Sequence, residues 1–81
     1  MKTAFTPQAA RDYKKLSEAL QERVDKQMAL LRQNLRHPSL KAKKYNEEKD
    51  IWQGRVNRDY RFYFQIIGDT CHILMIVPHP K

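Results

Sequence analysis

The stretch Trp52–Gln65, WQGRVNRDYRFYFQ, decides how the chain is read. Its second half alternates, with Tyr60, Phe62, Phe64 and Ile66 on one parity and Arg61, Tyr63 and Gln65 on the other. Period two marks a strand with one face in a core and one face in water. Asn57-Arg58-Asp59 supplies residues that tolerate tight-turn backbone angles, so the run is expected to fold as a β-hairpin. That hairpin carries Arg55, Arg58 and Arg61, three cations for which burial offers no explanation.

The hairpin continues on both sides. Ile51–Asn57 and Tyr60–Ile67 form its strands, Gly68-Asp69 signals a second turn, and Thr70–Val77 is the next strand. This last run is apolar on both parities, as in a strand buried on both faces. Pro78 and Pro80 lack donors and stop the ladder. Upstream, Pro38–Asp50 is polar and basic and reads as a connection that holds Lys41, Lys43 and Lys44 in solvent.

The N-terminal half is helical. Met1–Thr6 reads as a short strand, after which Thr6 is a good N-cap and Pro7 suits a first helical turn. A single helix from Gln8 to His37 would extend about 45 Å, too long for this chain, so a break is expected at Ser17. The first helix aligns Ala9, Ala10, Tyr13 and Leu16. The second aligns Leu20, Val24, Met28, Leu31 and Leu35 opposite a charged face. The expected class is α+β in the order β-α-α-β-β-β, with two N-terminal helices on one face of an antiparallel sheet.

Residues 1–81 form one domain, with no repeat or linker. A hydrophobic content of 41% suffices for a single core, and 31% charged residues with four prolines are no signature of disorder. The single cysteine, Cys71, cannot form an internal disulfide. It lies in an apolar run, so it reads as core filling in a reducing, cytoplasmic setting. No stretch is long enough for a signal peptide or a membrane span. The net charge of +7 points to a polyanionic or acidic partner, with nucleic acid first.

Nucleotide-binding glycine loops, paired-cysteine metal spacings and a Ser-His-acid set are all lacking. His37, His72 and His79 are scattered, so neither a metal nor a cofactor is expected. What remains is basic. Arginine binds phosphate bidentately at any physiological pH, and histidine exchanges protons near neutrality. Arg55, Arg61 and His79 could therefore cleave RNA through its own 2′-hydroxyl, with the cations stabilising the phosphorane and the histidine as acid or base. Lys41, Lys43, Lys44, Arg58 and Tyr63 would extend the RNA-binding surface, Tyr63 by stacking or hydrogen bonding.

Plainer readings stand beside these. Arg58 suits a solvated turn, Arg61 a surface ion pair with Asp59 or Glu48, His79 an idle end, and Tyr63 cross-strand packing. The lysine run suits a solvated loop. Register separates the two sets. A strict two-residue Gly68-Asp69 loop pairs residue 67 with 70 and puts Arg61 on the face of His72, Leu74 and Ile76. A three-residue loop, or a bulge, gathers Arg61, Tyr63, Met75, Val77 and His79 on one face.

At these residues the sequence resembles the RelE/ParE superfamily of toxins from bacterial toxin–antitoxin pairs. The likeness runs through Pro7, Ala10, Tyr13, Lys15 and Leu16, then His37-Pro38, then Arg55-Val56, Asp59-Tyr60-Arg61 and Phe64. It ends on Ile73, Leu74, Ile76 and His79. The resemblance implies a RelE-like fold and a cognate antitoxin partner. RelE-type members cleave mRNA at the ribosome and so inhibit translation, whereas ParE-type members poison DNA gyrase. Arg61 matches the arginine placed at the scissile phosphate, Arg55 a basic strand position, and His79 a basic or histidine position near the C-terminus. Gln53 stands where well-known nuclease members hold lysine, and Lys81 where many continue to a tyrosine. The resemblance thus implies a toxin, read as an mRNA endoribonuclease. The alternatives are a gyrase-directed or other non-nuclease toxin of the same fold and a noncatalytic basic RNA-binding module.

Overall fold

A computed structural model describes residues 1–80; Lys81, the end of the expected tail, lies outside them. The elements run β1 (Lys2–Phe5), α1 (Pro7–Lys14), α2 (Glu18–Gln33), a 3-10 turn (Pro38–Leu40), β2 (Lys43–Asn46), β3 (Ile51–Arg55), β4 (Tyr60–Ile67) and β5 (Thr70–Pro78). The helix boundaries follow their caps. The Thr6 hydroxyl accepts from the Ala9 N–H at 3.2 Å with Pro7 in the first turn, and the Ser17 hydroxyl accepts from the Leu20 N–H at 3.2 Å. Among the described residues, no helix is long and apolar enough to cross a membrane.

The strands form one sheet in the order β1-β5-β4-β3-β2. The α+β class and the placement of the helices are as expected, with two differences in the sheet. β1 pairs parallel to β5, with Phe5 opposite Ile73, which makes the sheet mixed. The basic connection also contributes β2, an edge strand antiparallel to β3. Its sequence, KKYN, is too polar and too short to announce a strand, yet an edge strand needs only one ladder of hydrogen bonds.

The core lies between the helices and the inner sheet face. Val24, Met28 and Leu31 of α2 meet Phe62 and Phe64 of β4 and Cys71, Ile73 and Ile76 of β5. Gly54 of β3 lies beneath the Phe62 ring, where an added Cβ would come within 2.3 Å of a ring carbon. Burial pushes the Cys71 thiol pKa up, as befits a packing residue. β5 is not buried on both faces. Cys71, Ile73 and Ile76 enter the core, but Met75 is 39% exposed on the open face.

Candidate functional site

The open sheet face is organised by the turn between β3 and β4. Asn57 builds the turn, its side-chain oxygen accepting from the N–H groups of Asp59 (2.8 Å) and Tyr60 (2.9 Å). Arg61 then folds back over it. Its Nη1 donates to the carbonyls of Asn57 (2.7 Å), Tyr60 (3.0 Å) and Arg58 (3.3 Å). Arg61 is only 9% exposed, which corrects the expectation of a solvated side chain or a surface ion pair. Part of its guanidinium is fixed by the backbone, so its charge is held in place rather than mobile.

Arg55 sits directly opposite Arg61 across the β3–β4 pair. Like charges in facing positions destabilise a sheet, and the Arg55 Nε is buried without a hydrogen-bond partner. α2 fixes the backbone at this point. Gln27, fully buried, donates from Nε2 to the carbonyls of Arg55 (2.7 Å) and Ser39 (3.2 Å). It thereby ties β3 to the segment that carries Lys41. Sequence reading passed over Gln27, although its signal was a polar residue inside the apolar stripe of α2.

Register delivers the third group. The Gly68-Asp69 loop is the strict two-residue form, with Ile67 opposite Thr70. Between Tyr63 and Phe64 the pairing slips, however. Phe64 faces Ile73 while Tyr63 faces Met75, so Leu74 is an extra residue. This bulge puts Arg61 opposite Val77 and brings His79 to the same face. α1 holds the bulge, because the Thr6 hydroxyl donates to the Leu74 carbonyl (3.0 Å) and the Asp12 carboxylate accepts from the Ile76 N–H (3.0 Å). The His79 N–H donates to the Asp59 carbonyl at 2.7 Å, fastening the tail beside the hairpin turn.

The outcome is a cleft of about 320 Å³ lined by Lys41, Lys43, Gln53, Gly54, Arg55, Arg61 and His79. Its volume is in the range of small-ligand sites. The salt bridges among the described residues use only Lys2 and Lys44 as cations, so no carboxylate neutralises this cluster. Such a cleft attracts a polyanion and can hold a phosphate between two arginines.

The remaining expected residues lie elsewhere. Lys44 points to the helix side of the sheet, 5.3 Å over the Trp52 ring and bonded to Asp50, which raises its pKa. It is therefore not part of the cleft. Arg58 is exposed in the turn, outside the cleft lining. Tyr63 lines a neighbouring apolar groove, its hydroxyl accepting from Gln53 Nε2 at 2.9 Å.

A profile of the ParE toxin of type II toxin–antitoxin systems (parDE) matches residues 4–79. The chain belongs to this family. It is a ParE-family toxin of the RelE/ParE superfamily. The fold is shared with solved relatives. A YoeB/ParE toxin from Agrobacterium tumefaciens is 15% identical, with 99% of this chain and 100% of that one covered and a TM-score of 0.81. A chain of the intact E. coli RelBE toxin–antitoxin complex is 16% identical, with 99% of this chain and 98% of that one covered and a TM-score of 0.74. The RelBE2 toxin–antitoxin complex of Mycobacterium tuberculosis gives 25% identity, 96% coverage of both chains and a TM-score of 0.76. No curated protein sequence matches this ParE-family toxin.

Proposed function

We propose that this toxin is an mRNA endoribonuclease acting at the ribosome, and that the basic cleft is its active site. The observation that carries the reading is the pairing of Arg55 and Arg61 beside His79 in a cleft with no neutralising carboxylate among the described residues. In the reaction the 2′-hydroxyl oxygen attacks the adjacent phosphorus and the bond to the 5′-oxygen breaks. The proton lost by the 2′-hydroxyl is balanced by the one gained by the leaving 5′-oxygen. His79 brings an imidazole to the cleft, a side chain that can both accept and donate such a proton. Arg55 and Arg61 stabilise the charge that builds on the phosphorane oxygens. Lys41 and Lys43 draw the RNA backbone in. The partner that silences the toxin is a cognate antitoxin, as in the solved RelBE toxin–antitoxin complexes.

A second reading, a gyrase-directed toxin, is favoured by the ParE description of the family and by Gln53, which leaves one cleft position uncharged. Pulse labelling after induction without antitoxin separates the two. Translation falling before DNA synthesis, with mRNA cut, supports the nuclease. DNA damage first with mRNA intact rejects it.

A further inference from the structure

We infer that the apolar groove beside the cleft is a nucleobase site for single-stranded RNA, with Tyr45 as its stacking platform. The inference rests on the nuclease reading and names how the same substrate continues past the phosphate. The groove, about 340 Å³, is lined chiefly by Tyr45, Ile51, Tyr63, Met75, Val77 and Pro78. It adjoins the cleft along the strands themselves. On β2 the step from Lys43 to Tyr45 passes from cleft to groove, as do Gln53 to Ile51 on β3 and Arg61 to Tyr63 on β4. Two residues of strand are about 6.7 Å, the scale that separates a phosphate from a base stacked beside it. Gln53 links the two regions, since it lines the cleft and donates to the Tyr63 hydroxyl at 2.9 Å.

Tyr45 serves no core. It is 62% exposed on a polar edge strand, held edge-on against the Tyr63 ring with centroids 4.8 Å apart. Met75 and Val77 supply the apolar floor, which explains why β5 is apolar on its open parity. An aromatic ring fixed by its neighbour and open to solvent beside a phosphate site suits sequence-tolerant stacking of a base. A polypeptide segment would use the groove without needing the cleft beside it, and this contiguity favours RNA.

The test is binding of a short 2′-O-methyl RNA, which cannot be cleaved, and of a matched abasic oligomer, read by fluorescence anisotropy. Wild type should bind the base-bearing oligomer roughly ten- to a hundredfold tighter than the abasic one. Tyr45→Ala should erase that preference and Tyr45→Phe should keep it, both retaining salt-dependent binding of the abasic oligomer. Equal binding of both oligomers by wild type, with salt dependence intact, would overturn the groove while sparing the cleft. Absence of binding to either would overturn both. If Tyr45→Ala left RNA binding unchanged but weakened the cognate antitoxin, the groove would belong to a polypeptide and the inference would fail.

Discussion

Arg55 and Arg61 face each other across the β3–β4 ladder, and among the described residues neither has a carboxylate partner. A fold selected for stability alone would avoid two guanidinium groups in facing positions. The arrangement becomes favourable once an anion lies between them.

Arg55→Met should therefore separate stability from activity. It removes the like-charge contact and the buried unpartnered Nε, so stability should hold or rise by about 1 kcal/mol. Growth arrest should be lost. Urea denaturation and induced growth curves check the two halves.

Arg61 should behave differently, because its Nη1 bonds three turn carbonyls. Arg61→Ala should destabilise by about 1–3 kcal/mol as well as inactivate, since turn acceptors lose their donor. Arg61→Lys should recover part of the stability but little activity, because an ammonium cannot reproduce the planar fork. Thermal melts of both variants decide this.

The bulge at Leu74 links the helices to the cleft. Asp12 lies on α1, yet its carboxylate holds the Ile76 N–H. Asp12→Ala should cost roughly 1–3 kcal/mol and weaken activity without touching the cleft. Asp12→Asn keeps an acceptor and should retain most of both. Hydrogen exchange at Ile76 should speed up in the alanine variant only.

Gly54 is held by close approach. A methyl group at this position would meet the Phe62 ring at 2.3 to 2.8 Å. Gly54→Ala should destabilise by about 1–3 kcal/mol through forced displacement of the ring. Unfolding midpoints measure it.

The parts legible in the sequence were those with local causes. Thr6-Pro7 and Ser17 fixed both helix starts through their own caps, and the parity of Tyr60–Ile66 fixed the inner face of β4. The site was legible as residue types. Its assembly depended on facts without a local signature. KKYN gave no sign that the β3 edge would recruit it, and the slip at Leu74 depends on Thr6 and Asp12, more than sixty residues upstream. Arg61 looked solvated because its parity is outward, yet the turn it follows offers carbonyls within reach. Lys44 looked like part of the basic surface until pairing put it opposite Trp52, on the inner side.

The central claim is that the Arg55–Arg61–His79 cleft cleaves RNA, and the chemistry of the RNA ends tests it most directly. Purified toxin should be incubated with translating ribosomes and mRNA, alongside His79→Ala, whose exposed side chain leaves the fold intact. Wild type should leave 2′,3′-cyclic phosphate and 5′-hydroxyl ends, formed roughly a hundred- to ten-thousandfold more slowly by His79→Ala. Intact mRNA together with gyrase-dependent DNA breaks, or wild-type cleavage rates in His79→Ala, would contradict it.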